Sequence, residues 1–177
     1  FDPASPAAGD VLLLSTESEP PGDEAAFNAL KQRIEQGATA VCLSPDVFAK
    51  DQDANAWLPV KDKCQLGVIN GWLYLKDEWA KAHPIFDGLP ANCLMDYAYY
   101  REIIPNRLWF TSVAPDEAVA GAIKASQDYT AGLTVAIYRL GKGCIILNTL
   151  RIRENLGEHP VAERLLRNML IYAADEY

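Results

Sequence analysis

Gly132-Leu-Thr-Val-Ala-Ile-Tyr-Arg-Leu-Gly-Lys-Gly-Cys-Ile-Ile-Leu-Asn-Thr-Leu150 decides how this chain is read. Two apolar runs, 134–140 and 144–150, flank Gly141-Lys142-Gly143. Glycine accepts the positive φ of a tight turn, so the pattern predicts an antiparallel hairpin. A polar loop follows to His159, and Pro160 then opens an amphipathic helix. Proline's missing N–H costs nothing at the first helical position. Ala162, Leu165, Leu166, Met169 and Leu170 form the apolar stripe, while Glu163, Arg164 and Arg167 face outward.

Working outward, Asp10-Val-Leu-Leu-Leu-Ser15 and Ala38-Thr-Ala-Val-Cys-Leu-Ser44 are short continuous apolar runs. Such runs are expected of strands covered on both faces. Between them, Asp23 suits a helix N-cap, Phe27, Leu30 and Ile34 share one helical face, and Gly37 suits a stop. Strand, helix and strand in this order predict a parallel unit with a right-handed crossover. The fold expected is α/β: three layers, a mainly parallel flavodoxin-like sheet, a late antiparallel hairpin and a C-terminal helix.

The middle is less regular. Pro45–Lys50 reads as a short helix, and 65–69 and 72–75 read as strands broken at Asn70-Gly71. Trp79–His83 reads as helical before Pro84, and Val119–Ile123 as a short strand. Residues 1–9, rich in Pro and Ala, read as a linker remnant, with one domain over 10–177. The start at Phe1-Asp2-Pro3 is expected of a domain cut from a longer protein or of a processed chain.

The formal net charge is −8, distributed as −7 over 1–60, −2 over 61–120 and +1 over 121–177. A phosphate-binding surface needs a basic footprint, so nucleic acid and anionic membrane are not expected partners. No run of apolar residues reaches membrane-spanning length. Cys42 and Cys144 lie in apolar runs and read as core residues, whereas Cys64 and Cys93 are free to pair. No Cys-x-x-Cys occurs and the two histidines are far apart, so neither a metal nor any other cofactor is expected.

Three segments carry a resemblance: His83-Pro-Ile-Phe-Asp-Gly-Leu89, the Gly141-Lys-Gly143 hairpin with its second strand, and Asn155-Leu-Gly-Glu-His-Pro-Val-Ala-Glu163 leading into 165–172. They resemble the class I glutamine amidotransferase-like domain in the versions attached to large bacterial glycoside hydrolases, including beta-galactosidase-like enzymes. The resemblance spans 10–175 and rests on turns and a helix entry. It implies an accessory domain in carbohydrate metabolism, packed against other domains of its parent chain and open to homo-oligomerisation. It also implies a secreted or periplasmic parent.

The catalytic members of that family place a cysteine on a strand-to-helix elbow flanked by small residues. Here no Gly-x-Cys-x-Gly occurs, and His159-Pro160 is followed by Val161-Ala162 with Glu163 displaced. Glutaminase chemistry, which needs an activated thiolate beside a histidine, is therefore not expected, and no catalytic residue is assigned.

The strongest contact candidates are Asp96, Tyr97, Tyr99, Tyr100, Arg101, Glu102 and Trp109, with Phe110 beside them. Aromatic faces stack on sugar C–H surfaces, and carboxylates and arginine take hydroxyls. A carbohydrate-binding module is thus one alternative, and docking to neighbouring domains uses the same residue types. The competing structural reading is a strand with core aromatics. Trp57, Trp72, Tyr74 and Trp79 share that ambiguity. An independent hydrolase is the third reading, with Asp96, Glu102, Asp116, Glu117 and Glu154 available as carboxylates, although their spacing selects no pair. The acidic loop 15–22 lacks any phosphate-binding glycine pattern. Asn148, Thr149, Arg151, Arg153, Glu154 and Asn155 read as loop hydrogen bonding at the last strand's end.

Overall fold

The computed structural model describes residues 9–16, 24–69, 76–125 and 129–175. The Asp23 cap, most of the acidic loop and the 72–75 strand with Trp72 and Tyr74 lie outside these residues. In chain order the elements are β1 (Val11–Leu14), α1 (Glu24–Gln36), β2 (Thr39–Cys42), β3 (Cys64–Val68), β4 (Asp77–Ala80) and β5 (Cys93–Leu94). Then come α2 (Tyr97–Tyr100), β6 (Arg107–Thr111), β7 (Glu117–Ala125), β8 (Tyr129–Leu140), β9 (Gly143–Asn148) and α3 (Pro160–Asp175). Single 3-10 turns occur at Pro45–Phe48, Pro84–Phe86 and Arg153–Asn155.

The nine strands form one sheet in the order β1-β2-β9-β8-β7-β4-β5, with the β3–β6 ribbon joined to β8 where Trp109 faces Leu133. Only β1–β2 and β2–β9 are parallel, and the other six pairings are antiparallel. The expectation of a mainly parallel, three-layer flavodoxin-like sheet is therefore wrong. The sheet is mixed and mostly antiparallel. The error has a physical source: a continuous apolar run reports burial of both faces and says nothing of strand direction. The β7, β8 and β9 runs are buried in this way but are joined by short connections, which force antiparallel neighbours.

The hairpin itself forms as the glycines require. Gly141 takes φ 64, and Lys142 N donates to Glu35 O at 2.9 Å, tying the turn to the end of α1. Side chains alternate along these strands. Val135, Ile137, Cys144 and Ile146 enter one core with Leu165, Met169 and Tyr172 of α3. Ala136, Tyr138, Ile145 and Leu147 enter the opposite core with Ile34 of α1, Phe48, Leu58 and Trp109. Register shifts between Ala118, Ala120 and Gly121 mark irregularities in the β7–β8 ladder, near the point where β8 passes from β9 to β6.

The predicted helix at 79–83 is also corrected. Residues 77–80 form β4, with Trp79 between Gly121 of β7 and Leu94 of β5. A Cβ at Gly121 would lie 2.8 Å from the Trp79 ring, so the glycine makes room for the indole. Sheet pairing over long separations overrode local propensity here. No helix among the described residues is long and apolar enough to cross a membrane.

Candidate functional site

Asp96 caps α2, its Oδ1 accepting from Ala98 N at 2.7 Å and Tyr99 N at 3.2 Å. The single turn that follows sends its tyrosines in different directions. Tyr100 is fully buried and donates its hydroxyl to Pro90 O at 2.5 Å, and burial pushes its pKa well above the ordinary tyrosine range. Tyr97 and Tyr99 are 70% and 40% exposed. Arg101 Nε pairs with Glu102 Oε1 at 2.7 Å on the surface.

Trp109 departs from the sugar-contact expectation. It has no exposed surface, and its ring lies 6.4 Å from that of Phe48. The β6 alternation points it into the α1-side core, so it cannot touch a ligand. Phe110, partly buried, packs on Ile69, Leu108 and Ala122. Trp57 stacks at 5.4 Å from Phe27.

Of the seven residues singled out, Tyr97 and Arg101 line one groove of about 620 Å3. Its other walls come from Lys76 with Asp77 and Glu78 of β4, from Leu94 of β5 with Met95 after it, and from Ile104. Lys76 Nζ pairs with Glu78 Oε1 at 2.9 Å and also bonds Pro105 O. Sequence gives 76–78 no element and reads 79–83 as helix, so only the pairing of β4 with β5 brings these residues to Tyr97. The groove offers an exposed phenol face, apolar Leu94 and Ile104, a guanidinium and carboxylates.

A second polar constellation was also missed. His83 caps the 84–86 turn, Nδ1 accepting from Ile85 N at 3.2 Å. Its Nε2 lies 3.0 Å from Glu117 Oε2, while Tyr172 donates to Glu117 Oε1 at 2.6 Å. With Nδ1 an acceptor, the single ring proton sits on Nε2 and faces Glu117. Both nitrogens are engaged within the protein, so this group clasps the 84–86 turn to β7 and α3. Its members lie 34 and 55 residues apart, beyond any local motif.

Two other candidate carboxylates are engaged within the protein: Asp116 Oδ2 accepts from Arg139 N at 2.7 Å, and Glu102 pairs with Arg101. At the end of β9, Asn148 bonds both the N–H and the carbonyl of Leu150 at 3.0 Å, and Asn155 donates to Arg151 O and Glu102 O.

All four cysteines are unbridged, Cys64 buried and Cys93 exposed. Burial pushes the Cys42 thiol up to about 12 and the Cys64 thiol up to about 11, so both are protonated at neutral pH. Cys144 lies buried on β9 with Sγ 3.8 Å from Thr39 Oγ1. His159 Nδ1 accepts from Val161 N at 3.2 Å, which is helix capping. No group of three or more metal-ligating side chains occurs among the described residues. No family model matches the chain, and no curated protein matches it.

Proposed function

We propose that this chain is a non-catalytic accessory domain of a multidomain glycoside hydrolase of the beta-galactosidase-like kind, and that it docks on its neighbours through the β5–α2 edge. One observation carries the reading. Leu94, Tyr97 and Tyr99 stand 60%, 70% and 40% exposed within one short segment, and Leu94 and Tyr97 line one groove. Exposed aromatic and aliphatic side chains gathered at one place are what an interface core needs. The resemblance of the 83–89, 141–143 and 155–172 segments to amidotransferase-like domains supports the parent assigned. The protonated, buried thiols of Cys42 and Cys64 support a loss of glutaminase chemistry.

The purified chain is expected to hydrolyse neither glutamine nor nitrophenyl glycosides above the buffer rate. Turnover of either at an enzyme-like rate, on the order of 1 s⁻¹ or more, overturns the proposal.

Carbohydrate binding is the second reading, favoured by Tyr97 and Arg101 lining one groove with Asp77. Calorimetric titration with oligosaccharides separates the two. Saturable heat abolished by Tyr97→Ala supports a binding module, and no heat with any of them supports docking.

A further inference from the structure

Away from the tyrosine groove, a cavity of about 680 Å3 opens between the 84–86 turn and α3. That volume suits a small ligand. Phe86, Leu89 and Ile171 supply apolar wall, and the polar lining consists of His83, Asp87, Asn168, Tyr172 and Asp175.

The side-chain donors of this lining are all spent within the protein. Tyr172 has one hydroxyl proton, given to Glu117. His83 is likewise engaged at both ring nitrogens, Nδ1 accepting from Ile85 N and Nε2 facing Glu117. Buried Asn168 uses both Nδ2 protons, on Ile85 O at 3.1 Å and Asp87 O at 2.9 Å. The acceptors left over are Asn168 Oδ1 and the carboxylates of Asp87 and Asp175. Neither carboxylate has an ion-pair partner among the described residues. One cation stands beside a lining residue: Arg164 Nη1 packs 3.3 Å from where a Cβ on Gly88 would lie.

Three acceptors, two of them anionic, over an apolar wall match a group with three donors and one positive charge on a hydrocarbon stem. We infer that this cavity binds a primary alkylammonium, either a free amine or a lysine side chain presented by another protein. The stem lies on Phe86, Leu89 and Ile171, and the ammonium takes Asn168 Oδ1 and the two carboxylates. The inference is independent of the accessory-domain reading, because the groove at Tyr97 shares none of these residues.

The test is an amide-resolved NMR titration of the intact chain at pH 7 with n-pentylammonium, isosteric n-pentanol and N-acetyl-lysine N-methylamide. Pentylammonium is expected to give saturable shifts confined to 83–91 and 168–175. Pentanol should bind at least fivefold more weakly. Asp87→Asn and Asp175→Asn should each cost roughly two- to fivefold, the range for a partly exposed ion pair, and together should erase the preference over pentanol. Both positions are exposed, so these variants keep the fold. Arg164→Ala removes the competing cation and should tighten binding. Tighter binding of the lysine derivative than of pentylammonium assigns a protein side chain as occupant, and weaker binding assigns a free amine. Equal affinity for pentanol and pentylammonium, or no saturable shift in these segments, overturns the inference.

Discussion

The interior of the sheet and its β5 edge use the same residue types for opposite purposes. In the β2–β9 interior every residue of both strands is buried, and the side chains alternate between two cores. At the β4–β5 end, strands of four and two residues leave Leu94, Tyr97 and Tyr99 in solvent. A strand covered on both faces has no surface left for a partner. A short edge beside a one-turn helix does, and it can be altered without opening the core. Effects of substitution should therefore divide cleanly: stability is lost in the interior and recognition at the edge.

The largest expected effect tests that division at two aromatics that looked alike in sequence. Trp109→Ala should destabilise by about 3–5 kcal/mol, as large-to-small core changes do, read as a drop in urea midpoint. Trp109→Phe should cost much less, because the indole N–H has no hydrogen-bond partner to lose. A loss below about 1 kcal/mol for Trp109→Ala would mean that this core does not bear on stability.

Alkali probes the buried interior next. Cys42 and Cys64 are held protonated in the fold up to about 12 and 11, whereas unfolded thiols ionise near 9. Above pH 9 the unfolded state therefore binds fewer protons than the native state. The stabilisation is complete below pH 9 and is lost as pH rises toward the folded values. Stability should be flat to about pH 8.5 and then fall by roughly 1.4 kcal/mol per pH unit for each such thiol. Tyr100 and Tyr138, also raised by burial, add to the fall above pH 10. A disulfide-exchange reagent at pH 8 should label exposed Cys93 at once and the others only on unfolding. A flat profile to pH 10.5 would show that these thiols are hydrated in the native state.

The same contrast explains what could be read from the residues. The hairpin, the final helix, β1, α1 and β2 announce themselves through glycine placement and local periodicity, because their burial follows from neighbours in sequence. Strand direction does not, since β9 looks alike whether its partner is parallel β2 or antiparallel β8. The candidate site was half legible. Tyr97 and Arg101 were chosen for residue type and do share a groove, but Tyr100 and Trp109 were chosen for the same reason and are core. One turn of helix and one strand's alternation separate them, and neither can be phased from a stretch that short. The Glu78 wall and the His83–Glu117–Tyr172 clasp come from long-range pairing, which composition does not encode.

Glu117→Gln probes the clasp that ties the 84–86 turn to β7 and α3. The amide keeps the shape but can accept from only one of its two present donors, and it loses the charge that favours both bonds. Glu117 is partly exposed, so the expected cost is about 1–2 kcal/mol, measured by thermal or urea unfolding. His83→Ala in the Glu117→Gln background should add little, because the pair acts as one unit. Fully additive costs would show that His83 works mainly through its cap on Ile85 N–H.

The smallest stability effect falls where the functional effect should be greatest. Tyr97 is 70% exposed and no core cluster includes it, so Tyr97→Ala should change unfolding free energy by no more than about 0.5 kcal/mol. The same substitution removes the broadest exposed ring from the β5–α2 groove. An interface anchor of this kind is worth on the order of 2 kcal/mol, a roughly thirtyfold loss of affinity for whichever partner the groove takes, domain or sugar. Unfolding and binding measured on one preparation keep the two quantities apart. If Tyr97→Ala unfolds the chain as readily as Trp109→Ala does, the β5–α2 edge is part of the core. If it leaves both stability and binding untouched, the recognition surface lies elsewhere on the molecule.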